Sequence, residues 1–214
     1  KKNIEKLIHL SSLGIEKSLD SKYAISKLEG ENKVKNNFER CVILKPSIVY
    51  SVDDNFTTNF MTLLNRLPFM PLYYEGKTKF APIHVTDLVE IIVDIVQGKS
   101  TEKTIECIGP EIISFKEIIL KLLKAMDKKR LLVPLPLTVA KMTAKFFELM
   151  PKPLITVDQI NLLKYDNIPS GKYKTNFDLN FNAKKFFDEE LEKYSFNWRI
   201  GGQYSKGKVS RLDK

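Results

Sequence analysis

Along the chain, short apolar runs alternate with longer segments of helical period, an arrangement that argues for an α/β fold built on a parallel sheet. An apolar run at residues 6–10 predicts a strand that stops at the turn-like Ser11-Ser12-Leu13-Gly14. Asp20 or Ser21 is placed to cap a helix reaching Asn37. A second buried strand at 40–44 is halted by Pro46, and residues 54–65 read as a helix ending before Pro68. Residues 68–77, rich in Pro, Tyr and Gly, read as a loop of the kind that holds binding residues.

Asp87 and Glu90 resemble a capping box opening a helix over 88–97, which Gly98 closes. A strand over 104–108 follows, and then Ser114 and Glu117 form an S-x-x-E box starting a helix that reaches Asp127. Residues 131–133 predict a further short strand pinned by Pro134 and Pro136. Helical patterns then occupy 137–150, 156–166 with Thr156 and Gln159 as the capping pair, and 183–194. The polar stretch from Ile200 onward reads as a flexible tail.

Two or three parallel strands cannot cover both faces of a sheet by themselves. The chain begins almost directly in a strand, lacks an initiator methionine, and has no G-x-G-x-x-G after any strand. It therefore reads as the second half of a larger domain, entered at about its fifth strand. The expected division is 1–134 for the partial sheet domain, 135–199 for a mostly helical appendage, and 200–214 for the tail.

Composition sharpens this picture only in places. No apolar run approaches the roughly 18 residues of a membrane span. Cys41 and Cys107 lie in strand-like runs, so buried thiols in a reducing compartment are expected rather than a disulfide framework. The formal charge is +9, but the lysines are dispersed and arginine is limited to Arg40, Arg66, Arg130, Arg199 and Arg211. No basic block or Arg-rich segment supports nucleic-acid binding. The charge suits docking to an anionic membrane surface or an acidic partner.

The candidate chemistry lies between His9 and Glu31. Tyr23 and Lys27 are spaced i, i+4 and share one helix face. An ammonium group beside a phenol favours the phenolate, turning a poor base into a usable proton shuttle. A serine at the end of the preceding strand, Ser12, can hold the substrate oxygen next to it. Spacing alone has little weight, since about one Y-x-x-x-K pair is expected from composition and Tyr73/Lys77 and Tyr204/Lys208 match it too. Gly76 and Pro71 argue against a helix at the second pair, and the third sits in the glycine-rich tail. Only Tyr23/Lys27 follows a strand and a Ser-Ser turn on a capped helix.

At these residues the sequence resembles a family. Leu7-Ile8-His9-Leu10-Ser11-Ser12-Leu13-Gly14, Tyr23-Ala24-x-Ser26-Lys27-x-x-Gly30-Glu31, Ile43-Leu44-Lys45-Pro46-Ser47-Ile48-Val49-Tyr50 and Ile83-His84-Val85-x-Asp87-Leu88 resemble successive motifs of extended and atypical short-chain dehydrogenases. Gly109-Pro110-Glu111, Leu135-Pro136-Leu137 and Thr156-x-Asp158-Gln159-x-x-Leu162-Leu163-x-x-Asp166-Asn167 are similar to the branch holding the NADPH-binding Rossmann accessory subunits of respiratory complex I and their bacterial relatives. The resemblance spans residues 4–171.

It implies the C-terminal half of a Rossmann-type doubly wound parallel sheet. It also implies catalytic roles for Ser12, Tyr23 and Lys27, with Tyr23, Lys27, Pro46 and Ser47 against a dinucleotide. The implied cofactor is NADP(H) rather than NAD(H), held by the full-length protein, with weak dinucleotide binding by this chain because the phosphate-holding glycine loop is absent from it. The implied function is an NAD(P)-binding accessory subunit or assembly factor of the complex I type. The site would then lie peripherally on the cytoplasmic side of a bacterial inner membrane or the matrix side of a mitochondrial one, with complex I subunits or an anionic membrane as partners.

The alternative is an active oxidoreductase, epimerase or dehydratase on a small sugar, sterol or isoprenoid alcohol. Only ten residues separate Ser12 from Tyr23, fewer than typical extended members have, which trims the cover over the site. Whether the chain turns over substrate is left open at this point.

The remaining candidates have plainer readings. His9 and His84 are far apart without nearby ligands, so no metal site is expected. His84 reads as a backbone-bonding residue at a strand end, and Asp87 as a helix cap. The 137–150 helix, with Val139, Met142, Phe146 and Phe147 beside Lys141 and Lys145, reads first as core-facing and second as a docking face. Phe186, Phe187, Phe196 and Trp198 are expected to anchor the C-terminal region.

Overall fold

A computed structural model describes residues 4–149, 153 and 155–204. In chain order the elements are β1 (Leu7–Leu10), α1 (Lys22–Asn37), β2 (Cys41–Pro46), β3 (Val49–Tyr50), α2 (Thr57–Arg66), β4 (Phe69–Leu72), β5 (Lys79–Phe80), β6 (Ile83–His84) and α3 (Val85–Val96). Then follow β7 (Thr104–Cys107), β8 (Ile113–Ser114), α4 (Phe115–Ala125), β9 (Leu131–Pro134), α5 (Leu137–Phe147), α6 (Val157–Leu162), β10 (Lys174–Thr175) and α7 (Phe187–Glu192).

The main sheet has four strands in the order β1-β2-β7-β10, all parallel. β2 is one of the two interior strands and is buried along its whole length, which is why its sequence runs apolar from Cys41 to Leu44 without alternation. Val42, Leu44, Ile105 and Cys107 face α3 through Ile91 and Ile95. This is the α/β parallel-sheet fold expected from the alternation of runs.

A second core lies beside the sheet, where Met61 and Leu64 of α2 meet Phe115, Ile118, Ile119 and Leu122 of α4. Ala140 and Ala144 of α5, Ile160 of α6, and Phe187 and Leu191 of α7 complete it. The sheet and this lobe frame the candidate site.

Local capping signals hold well. Ser21 caps α1, with Ala24 N donating to its hydroxyl. Complete capping boxes open α4 (Ser114/Glu117) and α6 (Thr156/Gln159). Gly98, at a φ of 82°, follows the end of α3. Tyr73–Gly76 is a 3-10 turn with Tyr74 and Glu75 in the left-handed region, so the Tyr73/Lys77 pair is not on an α-helix.

Other expectations are corrected. Residues 68–77 are not simply a loop: β4 pairs in parallel with β9, so the 131–133 strand belongs to this separate pair and not to the main sheet. The strand β10, unforeseen in the helical region, adds the edge of the main sheet.

Asp87 does not cap α3. His84 is the cap, accepting from Thr86 N at 3.3 Å, while the buried Asp87 carboxylate accepts Lys184 N and Lys185 N at 3.0 Å each. Helix α7 is much shorter than 183–194 because residues 184–185 are spent on that carboxylate. Phe187 and Trp198 pack in the second core, but Phe186 is exposed.

Helix α5 does not bury its large apolar residues. Ala140 and Ala144 are fully buried, whereas Val139, Met142 and Phe146 are 43%, 72% and 68% exposed. The small side chains let the helix approach the core closely and turn the bulkier ones outward. The side chain of Phe147, Met150, Lys208 and the expected tail beyond Tyr204 lie outside the described residues.

Candidate functional site

Strand alternation separates the two serines after β1. The ladder continues past the strand, with Ser11 N donating to Leu44 O at 2.8 Å and Leu13 N to Pro46 O at 2.9 Å. Ser11 is buried and its hydroxyl donates to Glu31 Oε1 at 2.5 Å. Ser12, next in line, is half-buried, and both serines border the same pocket. Gly14, at a φ of 77°, then turns the chain toward α1.

The first turn of α1 is held from outside as well as by Ser21. Asp158 of α6 accepts from Lys22 N at 2.7 Å, Tyr23 N at 3.2 Å and Ser21 Oγ at 3.0 Å. A carboxylate at a helix N-terminus is favoured by the unpaired N–H groups and the helix dipole. Tyr23 is thereby fixed in backbone while its side chain stays 44% exposed. Lys27, one turn on, places Nζ 5.9 Å from the Tyr23 ring centre and donates to Leu10 O at 3.2 Å. It ties α1 to the end of β1.

The pocket has a volume of about 490 Å³. Ser12, Tyr23, Pro46 and Ser47 all line it, whereas Lys27 stands behind Tyr23. Ser47 is 5% exposed, and its hydroxyl donates to Asn167 Oδ1 at 2.6 Å and accepts from Ala81 N at 3.2 Å. Asn167 also donates from Nδ2 to Leu13 O at 2.6 Å. It thus pins the segment after β1 to the segment after β2. Asp158 and Asn167 lay in a motif read from the sequence, but no role could be given to them there.

A buried charge cluster supports the same wall. Lys45, near the C-terminal end of β2, contacts Glu16 and Glu31, the latter at 2.7 Å. Burial pushes the Glu31 carboxyl up, but bonds from Lys45 and Ser11 outweigh it and hold the group below its ordinary range. Burial likewise pulls Lys45 down, and the two carboxylates more than reverse that. The only sequence signal was a lysine inside an otherwise apolar strand, which requires a buried partner.

His84, expected as a backbone-bonding group, has its pKa lowered by burial, with Glu190 opposing that effect from 3.9 Å. Among the described residues no cluster of three or more His, Cys, Asp or Glu could hold a metal ion. Cys41 and Cys107 are buried free thiols, and burial followed by the neighbouring Glu106 pushes Cys107 up to about 12.

No protein-family model matches the chain. It is 29% identical to NADH dehydrogenase [ubiquinone] 1 alpha subcomplex subunit 9 of Arabidopsis thaliana, over 95% of this chain and 52% of that protein. The Dictyostelium discoideum protein of the same name is 30% identical over 55% of this chain and 33% of its own length. The NADH-ubiquinone oxidoreductase 40 kDa subunit of Neurospora crassa is 23% identical over 92% of this chain and 53% of its own. All three relatives are named as subunits of the NADH–ubiquinone oxidoreductase. The chain spans about half the length of the Arabidopsis and Neurospora proteins.

Solved structures agree on the fold. UDP-glucose 4-epimerase of Thermus thermophilus, in complex with NAD, superposes with a TM-score of 0.61 at 16% identity, covering 91% of this chain and 64% of that one. UDP-glucuronic acid 4-epimerase of Bacillus cereus, in complex with UDP-glucuronic acid and NAD, gives 0.58 at 19% identity over 91% and 62%. The chain shares the fold of the corresponding part of these two proteins.

Of the groups a nicotinamide nucleotide would need, the chain holds those for one half. Pro46 offers a flat apolar wall, and Ser12 and Tyr23 bring hydroxyl groups to the same pocket. No glycine-rich phosphate loop is present in the sequence, so only the nicotinamide side can be matched to residues of this chain.

Proposed function

We propose that this chain forms the C-terminal part of a dinucleotide-binding accessory subunit or assembly factor of the complex I type. The likeness to complex I subunits over nearly its whole length supports this reading. In this view residues 1–134 contribute the end of a Rossmann domain and 135–199 its helical complement. Pro46 and Ser47 pack beside the nicotinamide, Tyr23 and Lys27 lie toward its ribose, and the cofactor is NADP(H) rather than NAD(H). The short connection before Tyr23 and that residue's exposure favour holding a cofactor over turnover, since proton transfer gains from a water-excluded site.

Helix α5 supplies the docking face. Met142 and Val139 point outward beside Lys141 and Lys145, a combination suited to a partner subunit or an anionic membrane surface. No helix among the described residues is long and apolar enough to cross a membrane. In this reading the protein attaches peripherally, on the matrix side of a mitochondrial inner membrane or the cytoplasmic side of a bacterial one.

A second reading is favoured by Ser12 and Tyr23 lining one pocket with Lys27 behind the phenol. Here Ser12 Oγ holds the substrate oxygen and Tyr23 Oη moves the proton, with Lys27 charge beside it. A bound nicotinamide supplies or accepts the hydride.

Native gel electrophoresis of membranes with the full-length protein tagged separates the two. Co-migration with complex I is expected. A free monomer or homodimer that oxidises an alcohol, with activity lost in Tyr23→Phe, would replace the first reading with the second.

A further inference from the structure

Much of the pocket wall is hydrocarbon, although serines and Asn167 also border it. Phe56, Phe60 and Leu63 lie at the start and along one stripe of α2, and Ile155 and Leu162 close the opposite side from α6 and the residue run before it. The rings are held in place by one another: Phe56 and Phe60 stack edge to face at 5.0 Å, Phe56 lies 6.2 Å from Phe80, and Phe60 lies 5.3 Å from Phe115. Polar side chains, Asn55, Asn59 and Gln159, sit exposed at the rim. Such a cavity has hydroxyl groups at one end, a rigid apolar body and a wet mouth.

Charge narrows the occupant further. Among the described residues the one charged side chain on the wall is Asp166, an acceptor for Lys79 N. A diphosphate brought here would lose water, meet a carboxylate, and find no arginine or lysine fork among those wall residues. The solved structures of similar fold include one with UDP-glucuronic acid bound, a ligand whose charge this wall does not match. A neutral, largely hydrocarbon molecule with one oxygen gains from burial along Phe56, Phe60, Leu63 and Leu162, and its oxygen reaches Ser12 and Tyr23.

We propose that this pocket binds a neutral, largely hydrocarbon alcohol or carbonyl compound, with its oxygen at Ser12 and Tyr23 and its chain against α2 and α6. The inference rests on reading Ser12 and Tyr23 as the polar end of the site. It does not require that the bound molecule be turned over.

Equilibrium binding of radiolabelled farnesol to the purified full-length protein tests it, with unlabelled UDP-glucose as competitor and NADPH present or absent. Saturable one-to-one farnesol binding, undisturbed by UDP-glucose, is expected. Leu162→Lys, which puts a charge on the apolar wall, should weaken it about tenfold or more, the equivalent of roughly 1.4 kcal/mol. Asn59→Trp, an exposed rim position where folding is not at stake, should hinder access and weaken binding in the same direction.

Displacement by UDP-glucose, binding that does not saturate, or farnesol binding unchanged in both variants with unaltered melting temperature would each overturn the proposal. Farnesol binding by a protein that does not migrate with complex I would instead sink the subunit reading and leave this one standing. Loss of farnesol binding with complex I association intact would do the reverse.

Discussion

Lys45 Nζ lies 2.7 Å from Glu31 Oε1, and both side chains are almost fully buried, at 1% and 2% exposure. This pair joins the interior strand β2 to helix α1, beneath the turn that presents Ser12. Removing one partner strands a buried charge, which typically costs about 3–5 kcal/mol. Lys45→Met is therefore expected to destabilise strongly in urea unfolding. Lys45→Met combined with Glu31→Leu should recover much of the loss, and no recovery would show that the pair is not the coupled unit.

The same pair sets an acid limit. Glu31 titrates below its ordinary value when folded, so its contribution is present above the ordinary carboxylate range and is lost as pH falls through the depressed value. Lys45 titrates above its ordinary value, so its contribution persists until pH rises past the normal lysine range. Melting temperature should fall on acidification below that carboxylate range, and the fall should be shallower in the Lys45→Met, Glu31→Leu protein.

Asp158 reaches α1 from across the chain, accepting Lys22 N, Tyr23 N and Ser21 Oγ. Asp158→Ala should cost about 1–2 kcal/mol, as loss of a helix cap does. Hydrogen exchange at Lys22 and Tyr23 should quicken while that of β2 scales only with global stability. Equal change everywhere would argue against a local clamp.

Gly109 sits against the backbone after β5. A Cβ there would lie 1.7 Å from Pro82 O, so even alanine must displace main chain. Gly109→Ala is expected to destabilise by about 3 kcal/mol, the upper range of overpacking. An alanine variant within about 0.5 kcal/mol of the parent would place this close approach in doubt.

Tyr23 and Met142 are exposed, at 44% and 72%, and both should tolerate substitution. Tyr23→Phe is expected to leave stability within about 0.5 kcal/mol and to abolish any alcohol oxidation. Met142→Glu should fold normally but release the protein from membranes or from complex I in salt-washed fractions. Undiminished retention would move the docking face away from α5.

Signals read over a few residues proved dependable. Ser21, the Ser114/Glu117 box and the Thr156/Gln159 box start helices where the sequence placed them. The alternation after β1 likewise leaves Ser12 half-buried in a pocket with Tyr23 while the Ser11 hydroxyl bonds the buried Glu31. These features depend on contacts within about one helical turn or one strand period, so a linear chain displays them.

Long-range partners were not displayed in that way. Asp87 looked like a local cap, yet it serves Lys184 and Lys185. The strand at 131–133 looked like part of the main sheet, yet it pairs with a strand hidden in a proline-rich loop. The outward turn of Met142 and Val139 follows from two alanines packing tightly on the second core.

The sequence by itself determined the broad alternation of strands and helices, the caps of α1, α4 and α6, and the candidate Ser12, Tyr23 and Lys27 set. The tertiary structure alone decided what shares a wall: Asn167 bonded to Ser47 and Leu13, Asp158 holding the start of α1, and Phe56, Phe60 and Leu162 facing across the pocket. Caps and periodicity are satisfied by near neighbours, whereas a wall is assembled from residues that only packing brings together.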